Sequence, residues 1–299
     1  MIKAINLTKK FGDKTALNNV NIEIKDSCVY GLVGSNGSGK STLLRLISGV
    51  YKANSGSIQI DGEDCFDNTE AKSKIAFLGD TPYFLPQSNL LLMKNFYKSV
   101  YKNFDDATFE HLLSVFPLNK TARISTMSKG MQRQAALILA ISTKPRYLLL
   151  DEAFDGLDVV MRKVLANIII DSVERDGLTV IIASHNLREL EDIIDHIALI
   201  HEGNLLFDDP SDSIKNTIHK IQVAFSQVPD TSVFDKLNVV KLEKQGSLLQ
   251  LVVRGERGEI MSFINNLMPL FAECIEPTLE EIFVYELEVI GYDVKNILE

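Results

Sequence analysis

Residues Ile2 to Leu7 and Val20 to Ile24 follow the two-residue alternation of strands, with turn chemistry at Asp13 and at Asn18-Asn19 between them. Val29 to Val33 is an unbroken apolar run, as in a strand buried on both faces, and it leads into a glycine-rich segment. Helical spacing from about Lys40 to Ser48 stops at Gly49. Ile58-Gln59-Ile60 followed by Asp61-Gly62 predicts a strand and a tight turn. From Asp80 to about Lys144 the period becomes helical, with apolar spacing over Leu90 to Tyr101 and Phe109 to Phe116. Ser128 opens a further helix that ends at the Pro145 break. Tyr147 to Leu150 and Thr179 to Ala183 are apolar strands, and Val159 to Arg175 between them has a helical period. Strand–helix–strand order predicts an α/β fold with a parallel sheet and helices on its faces.

After about Pro210 the texture changes. Ile221 to Phe225, Val239 to Leu242 and Leu248 to Val253 read as strands, Gly258 to Phe271 as a helix, and a second helix follows Pro277. The expected organisation is a large domain over 1–212 and a small α/β accessory domain over 213–299 without a catalytic motif.

Composition narrows the function. The 299 residues are 45% hydrophobic and 24% charged, enough for a core without staples. The net charge of -9 argues against nucleic acid as a partner and against bulk attraction to anionic lipid. No apolar run approaches the ~18–20 residues of a bilayer-spanning helix. The opening Met1-Ile2-Lys3-Ala4-Ile5-Asn6 lacks the features of a signal peptide, so a cytoplasmic location is expected. Cys28, Cys65 and Cys274 are scattered and suggest neither a disulfide frame nor a zinc site.

Gly34-Ser35-Asn36-Gly37-Ser38-Gly39-Lys40-Ser41, followed by Thr42, fits G-x-x-x-x-G-K-[ST] between a buried strand and a helix. Such a loop points successive backbone N–H groups at phosphate oxygens, and the helix start adds its positive end. Lys40 would reach the β- and γ-phosphates of a nucleotide, and Ser41 would give its hydroxyl to Mg2+. Tyr147-Leu148-Leu149-Leu150-Asp151-Glu152 is a buried strand that ends in two carboxylates. Carboxylates at such a strand end need a cation or a polar cleft. Asp151 suits a Mg2+ holder, and Glu152 a base that orients and deprotonates a water. A solvated acidic cap is the alternative.

Met127-Ser128-Lys129-Gly130-Met131-Gln132, opening a helix just before the acidic strand, resembles the LSGGQ signature of the ABC ATPases. Physically it is a second helix N-terminus with a serine cap, though a plain N-cap would look the same. The resemblance covers about residues 1 to 210. It implies a P-loop NTPase fold: a RecA-like core, an N-terminal antiparallel β subdomain and a helical subdomain over about 80–145. It also implies that two subunits dock head-to-tail, each ATP held between one P-loop and the opposing Ser128 and Gly130. In the same family pattern Phe11 falls where an aromatic stacks on adenine, with a core ring as the alternative. Asp155-Gly156-Leu157-Asp158 resembles the D-loop, Asp158 being the residue that crosses the dimer, or else an N-cap. His185, after the strand Thr179 to Ala183, stands where the switch histidine contacts the γ-phosphate.

The chain also departs from the pattern. Lys129 stands at a position usually held by glycine, Met131 replaces glutamine, and Ala153 replaces the common proline. The strand Ile75 to Leu78 puts Asp80 at the Q-loop position that senses metal and partner, with Gln87 as a rival placement. Ser184 to Asp192 and Pro277 to Phe283 look like the bacterial antibiotic- and peptide-export branch, whose ATPases pair with separate membrane permeases. The expected protein is therefore an ATP- and Mg2+-dependent ATPase subunit, cytoplasmic and peripheral on the membrane through its permease. A non-transport ABC ATPase and a regulatory subunit with weak hydrolysis remain the alternatives.

Overall fold

The structure is a computed structural model that describes residues 1–289. In chain order the strands and helices are β1 (Ile2–Phe11), β2 (Lys14–Ile24), β3 (Val29–Val33), α1 (Lys40–Ile47), β4 (Ser55–Ile60), β5 (Glu63–Asp64), α2 (Thr69–Ser73) and β6 (Ile75–Leu78). There follow α3 (Leu90–Val100), α4 (Asp106–Val115), α5 (Lys129–Ser142), β7 (Tyr147–Asp151), α6 (Val159–Asp176), β8 (Thr179–Ser184), β9 (His196–His201) and β10 (Asn204–Pro210). The remainder is α7 (Ser211–Thr217), β11 (Ile218–Ala224), β12 (Asn238–Gln245), β13 (Leu248–Arg254), α8 (Arg257–Asn266), β14 (Phe271–Ile275) and α9 (Leu279–Val289). The chain divides into two compact units, Met1–Asp208 and Asp209–Glu299. Of the accessory domain expected over 213–299, residues 290–299 lie outside the described residues.

The first unit is built on a six-stranded sheet of order β10-β9-β3-β8-β7-β6. The pairs β3–β8, β3–β9, β7–β8 and β6–β7 are parallel. Every residue of β3, β7 and β8 is buried, which explains why their sequences are continuous apolar runs rather than alternations. Parallel strands end on the same side, and the register sets those ends level: Val33 beside Ser184, Asp151 beside Ala183, Leu78 beside Leu150. The segments leaving β3, β8, β7 and β6 therefore emerge along one rim, where α/β sheets bind ligands.

A four-stranded sheet, β2-β1-β4-β5, lies alongside, with β1 antiparallel to both β2 and β4. Alternating residues such as Leu7, Leu17 and Val20 enter the core shared with Leu43, Leu44 and Ile47 of α1. The turn expected at Asn18-Asn19 is instead an irregularity inside β2. Asn19 takes a positive φ of 51°, and the Asn18 N–H leaves the hairpin to donate to the Gly203 carbonyl at 2.8 Å. α3 and α4 both pack on α5, a helical layer within residues 80–145.

The second unit is a sheet of order β12-β13-β11-β14 with its own core, in which Ile221, Val223, Leu249 and Leu251 meet Ile260 and Ile264 of α8. The helix expected over Gly258 to Phe271 stops at Asn266, and Phe271 begins β14, paired with Ala224. Met268 holds a positive φ of 52° and Pro269 follows, so no further helical turn can form. On α9 the acidic residues face basic ones of the sheet, with Lys220–Glu281 at 2.8 Å and Lys241–Glu288 at 3.1 Å. Among the described residues no helix is long and apolar enough to cross a membrane.

Candidate functional site

A cavity of 340 Å³ opens on the rim of the parallel sheet, lined by residues 36–42, Asp80 and Glu152, with Phe11, Lys14 and Ala16 from the β1–β2 hairpin. The loop between β3 and α1 forms its floor. Gly39 is the N-cap of α1 at φ 118°, and a Cβ there would come within 2.6 Å of the Ala16 carbonyl oxygen. Only glycine fits that approach. No side chain caps the helix, so its first N–H groups keep their donors for a ligand.

Lys40 is buried, and its ammonium donates to the carbonyls of Gly34 at 2.7 Å and Ser35 at 3.1 Å. Its charge sits 3.9 Å from Glu152. Burial lowers the Lys40 pKa from its ordinary value, while Glu152 and Asp151 pull it back up. Ser41 donates its hydroxyl to Asp151 Oδ1 at 2.9 Å. Asp151 is fully buried, and its other oxygen, Oδ2, has no partner. Burial raises the Asp151 pKa, with the Ser41 hydrogen bond acting against it and the Asp80 charge adding to it. A buried oxygen with no donor beside a serine hydroxyl is the donor set of a hard cation.

Glu152 follows β7 in the left-handed region, at φ 51°. That conformation costs roughly 1–3 kcal/mol in a non-glycine residue. It is held by the Glu152 N–H donating to the Ala183 carbonyl at 2.9 Å and by the Asp155 N–H donating to the Glu152 carbonyl at 3.1 Å. The reversal brings the Glu152 side chain into the cavity lining, and its Oε2 lies 2.9 Å from His185 Nδ1. With Glu152 ionised, Nδ1 carries the proton of that bond. Glu152, Asp155 and His185 offer ligand atoms within 4.8 Å of one another. Asp151, not this half-buried group, has a buried carboxylate oxygen without a partner.

Gly34, Ser35, Asp151 and His185 are bonded to the cavity residues Lys40, Ser41 and Glu152, and the other residues singled out from sequence fall into two groups. Asn36, Gly37, Ser38, Gly39, Lys40, Ser41, Thr42, Phe11, Asp80 and Glu152 line one cavity. Phe11 is 45% exposed rather than a core ring, and it meets Tyr51 edge-on at 5.4 Å. Asp80 accepts from the Thr81 N–H at 2.8 Å, and its carbonyl accepts from Arg133 of α5. Gln87 lines a separate 370 Å³ pocket with Tyr83, Leu85 and Gln132.

Ser128, Gly130 and Asp158 are not part of the cavity lining. Ser128 caps α5, accepting from the Met131 N–H at 3.2 Å, and Asp158 caps α6, accepting from the Met161 N–H at 2.9 Å. The two helix starts lie against each other: a Cβ on Gly130 would stand 2.6 Å from the Gly156 carbonyl oxygen.

Sequence reasoning missed Lys14 and Ala16, which reach the cavity only because the hairpin folds over it. It also missed Arg133, whose position in the helix after Ser128 was the one available signal.

A phosphate loop, a buried strand ending in Asp151 and Glu152, and a second helix start outside the cavity lining define a P-loop nucleotide-binding protein. The ABC transporter family model matches residues 17–155. A bacitracin transport ATP-binding protein of Bacillus licheniformis is 32% identical over 74% of this chain and 73% of its own length. A lantibiotic transport ATP-binding protein of Streptococcus pyogenes is 31% identical over 72% of this chain and 93% of its own. The ABC transporter ATP-binding protein YtrB of Bacillus subtilis is 27% identical over 95% of this chain and 97% of its own. A solved dimeric ATP-binding cassette bound to ADP and Pi superposes with a TM-score of 0.64 at 24% identity, covering 71% of this chain and 99% of that one. The chain belongs to the ATP-binding proteins of ABC transporters.

Proposed function

We propose that the chain is the ATP-hydrolysing motor of an exporter: a cytoplasmic subunit, peripheral on the membrane, that closes on ATP against a second ATP-binding subunit and drives a separate membrane permease. The observation that carries this reading is the convergence of Lys40, Ser41–Asp151 and Glu152–His185 at one rim, while Ser128 and Gly130 start a helix outside the cavity. One chain thus offers a phosphate floor and, elsewhere, a second helix N-terminus. ATP can use both only if the second comes from another molecule.

In this reading residues 34–42 bind the phosphates through backbone N–H groups and Lys40, and Phe11 stacks on the adenine. Ser41 and Asp151 would hold Mg2+, with Asp80 beside them, and the ion would supply neutralisation of the β- and γ-phosphate charge. Glu152 aims a water at the γ-phosphorus and takes its proton, and ADP and phosphate leave. His185 holds Glu152 through Nδ1 and presents its second ring nitrogen to the γ-phosphate. Asp158 contacts the opposing subunit. The exposed Tyr83, Leu92 and Phe96 around the helical layer give an apolar surface for the permease. Relatives named for bacitracin and lantibiotic transport favour a peptide, antibiotic or other amphipathic cargo over a DNA-repair or translation role.

Glu152→Gln tests the reading. The variant should bind ATP as the parent does, hydrolyse it about 10²–10³-fold more slowly, and accumulate as an ATP-bound dimer in light scattering. Turnover at the parent rate would overturn the role of Glu152 and this mechanism with it.

A further inference from the structure

We propose that Glu189 is a positioning residue for hydrolysis: with Arg162 it ties the segment carrying His185 to the segment 155–158 that leads into α6. The proposal rests on the reading of Glu152 and His185 given above. The Glu189 side chain is only 6% exposed, and its Oε1 lies 2.6 Å from the Arg162 guanidinium. The same oxygen accepts from Asn186 Nδ2 at 3.0 Å. Arg162, on the first turns of α6, uses its Nε–H to donate to the Leu157 carbonyl at 2.9 Å. On the other side of the histidine, the Asn186 N–H donates to the Ser184 hydroxyl oxygen at 3.0 Å. His185 is therefore fixed by its neighbour on each flank, and one of those neighbours is held by Glu189.

The arrangement is poor as a stabiliser. Glu189 Oε2 is buried without a partner, and a carboxylate buried against a partly exposed arginine seldom repays its desolvation. Asp155 adds a further negative charge nearby. What the pair supplies is geometry. It joins the segment after β7 to the segment after β8, which otherwise meet through the Glu152–His185 contact and the Glu152 N–H bond to Ala183. Displacement of 155–158 by an opposing subunit would pass through Leu157, Arg162, Glu189 and Asn186 to the ring that holds the catalytic base. Hydrolysis then waits for closure of the dimer.

The experiment is steady-state ATP hydrolysis by the full chain carrying Glu189→Gln, Arg162→Gln or both, with ATP binding and thermal unfolding followed in parallel. Glu189→Gln should lower kcat about tenfold, as expected for a small misplacement of the reacting groups, and leave KM within about twofold. The double variant should lose no more than the worse single one, because both residues act through one link. If Glu189→Gln does not fold, Arg162→Lys carries the test: it keeps the charge, loses the Nε–H bond to Leu157, and should show the same fall. Parent-like kcat in the folded variant overturns the proposal. So do a KM that rises as kcat falls, and single losses that multiply in the double variant. His185→Ala is the control. If that variant hydrolyses ATP at the parent rate, the reading of the catalytic site has failed. If it is inactive and Glu189→Gln is unaffected, only the role of Glu189 has failed.

Discussion

The starts of α1 and α5 carry similar sequence signals, a glycine and a serine at or beside the first turn, yet they are prepared differently. At α1 the N-cap is Gly39, no side chain caps the turn, and the N–H groups open on a cavity beside Lys40. At α5 the serine spends its hydroxyl oxygen on the helix's own Met131 N–H, outside that cavity. Orphan amides at a helix start must find an acceptor. The first helix leaves them for a ligand, and the second has already satisfied one internally. A single subunit thus has open amides at α1, whereas on the proposed reading α5 would meet a phosphate only when another molecule delivers it. In the function proposed above, that asymmetry would make ATP the adhesive of the dimer.

The largest expected effect comes from disabling the ready end. Lys40→Ala removes the buried ammonium that now bonds the Gly34 and Ser35 carbonyls and faces Glu152. Hydrolysis should fall about 10²–10³-fold, or about 3–4 kcal/mol of transition-state stabilisation, and nucleotide titration should show weaker ATP binding. Unchanged ATP affinity would mean that the open amides at α1 suffice alone.

Much of the ready end is legible in the sequence because its parts are contiguous. The phosphate loop lies within residues 34–42, and β7 announces its carboxylates by ending an apolar run. That these strand ends share one rim follows from the parallel sheet, which the strand–helix–strand pattern predicts. Less legible are features made by the chain returning on itself. Nothing local marks Glu152 as a left-handed residue, since its conformation is imposed by the Ala183 carbonyl one strand away. Arg162 and Glu189 look like ordinary surface charges until α6 and β8 bring them together. The strands β9 and β10 follow a stretch rich in acidic residues and were not expected, though β9 borders β3. In the second unit the apolar run through Met268-Pro269-Leu270-Phe271 suggested a longer helix, and the proline decided otherwise. That Asp80 lines the cavity and Gln87 a separate pocket is a matter of the turn after β6 rather than of residue type.

A smaller effect shows what readiness costs. Burial raises the Asp151 pKa, so the folded chain holds that proton more tightly than the unfolded one does. Stability therefore falls as pH rises through the Asp151 pKa, and the penalty is complete once the buried carboxylate is ionised. Asp151→Asn should accordingly stabilise the nucleotide-free chain near neutral pH by about 1–3 kcal/mol, the usual cost of an unsatisfied buried polar group. The gain should shrink in acid, where the parent carboxylate is protonated, and ATP hydrolysis should be lost. Urea denaturation across pH measures it. A destabilised variant would show that Ser41 already offsets the buried charge.

The smallest effect tests the other helix start. Ser128→Ala removes the cap of α5 and should cost about 1 kcal/mol of stability in the isolated chain. Because Ser128 is absent from the cavity lining, ATP affinity measured at dilutions that keep the chain monomeric should not change. Hydrolysis at concentrations that permit dimers should fall, since the same hydroxyl is then asked to leave its own helix for a phosphate. If monomer affinity drops with the substitution, Ser128 reaches the nucleotide within one chain. The two helix starts would then form a single site, and the need for a second subunit to complete it would disappear.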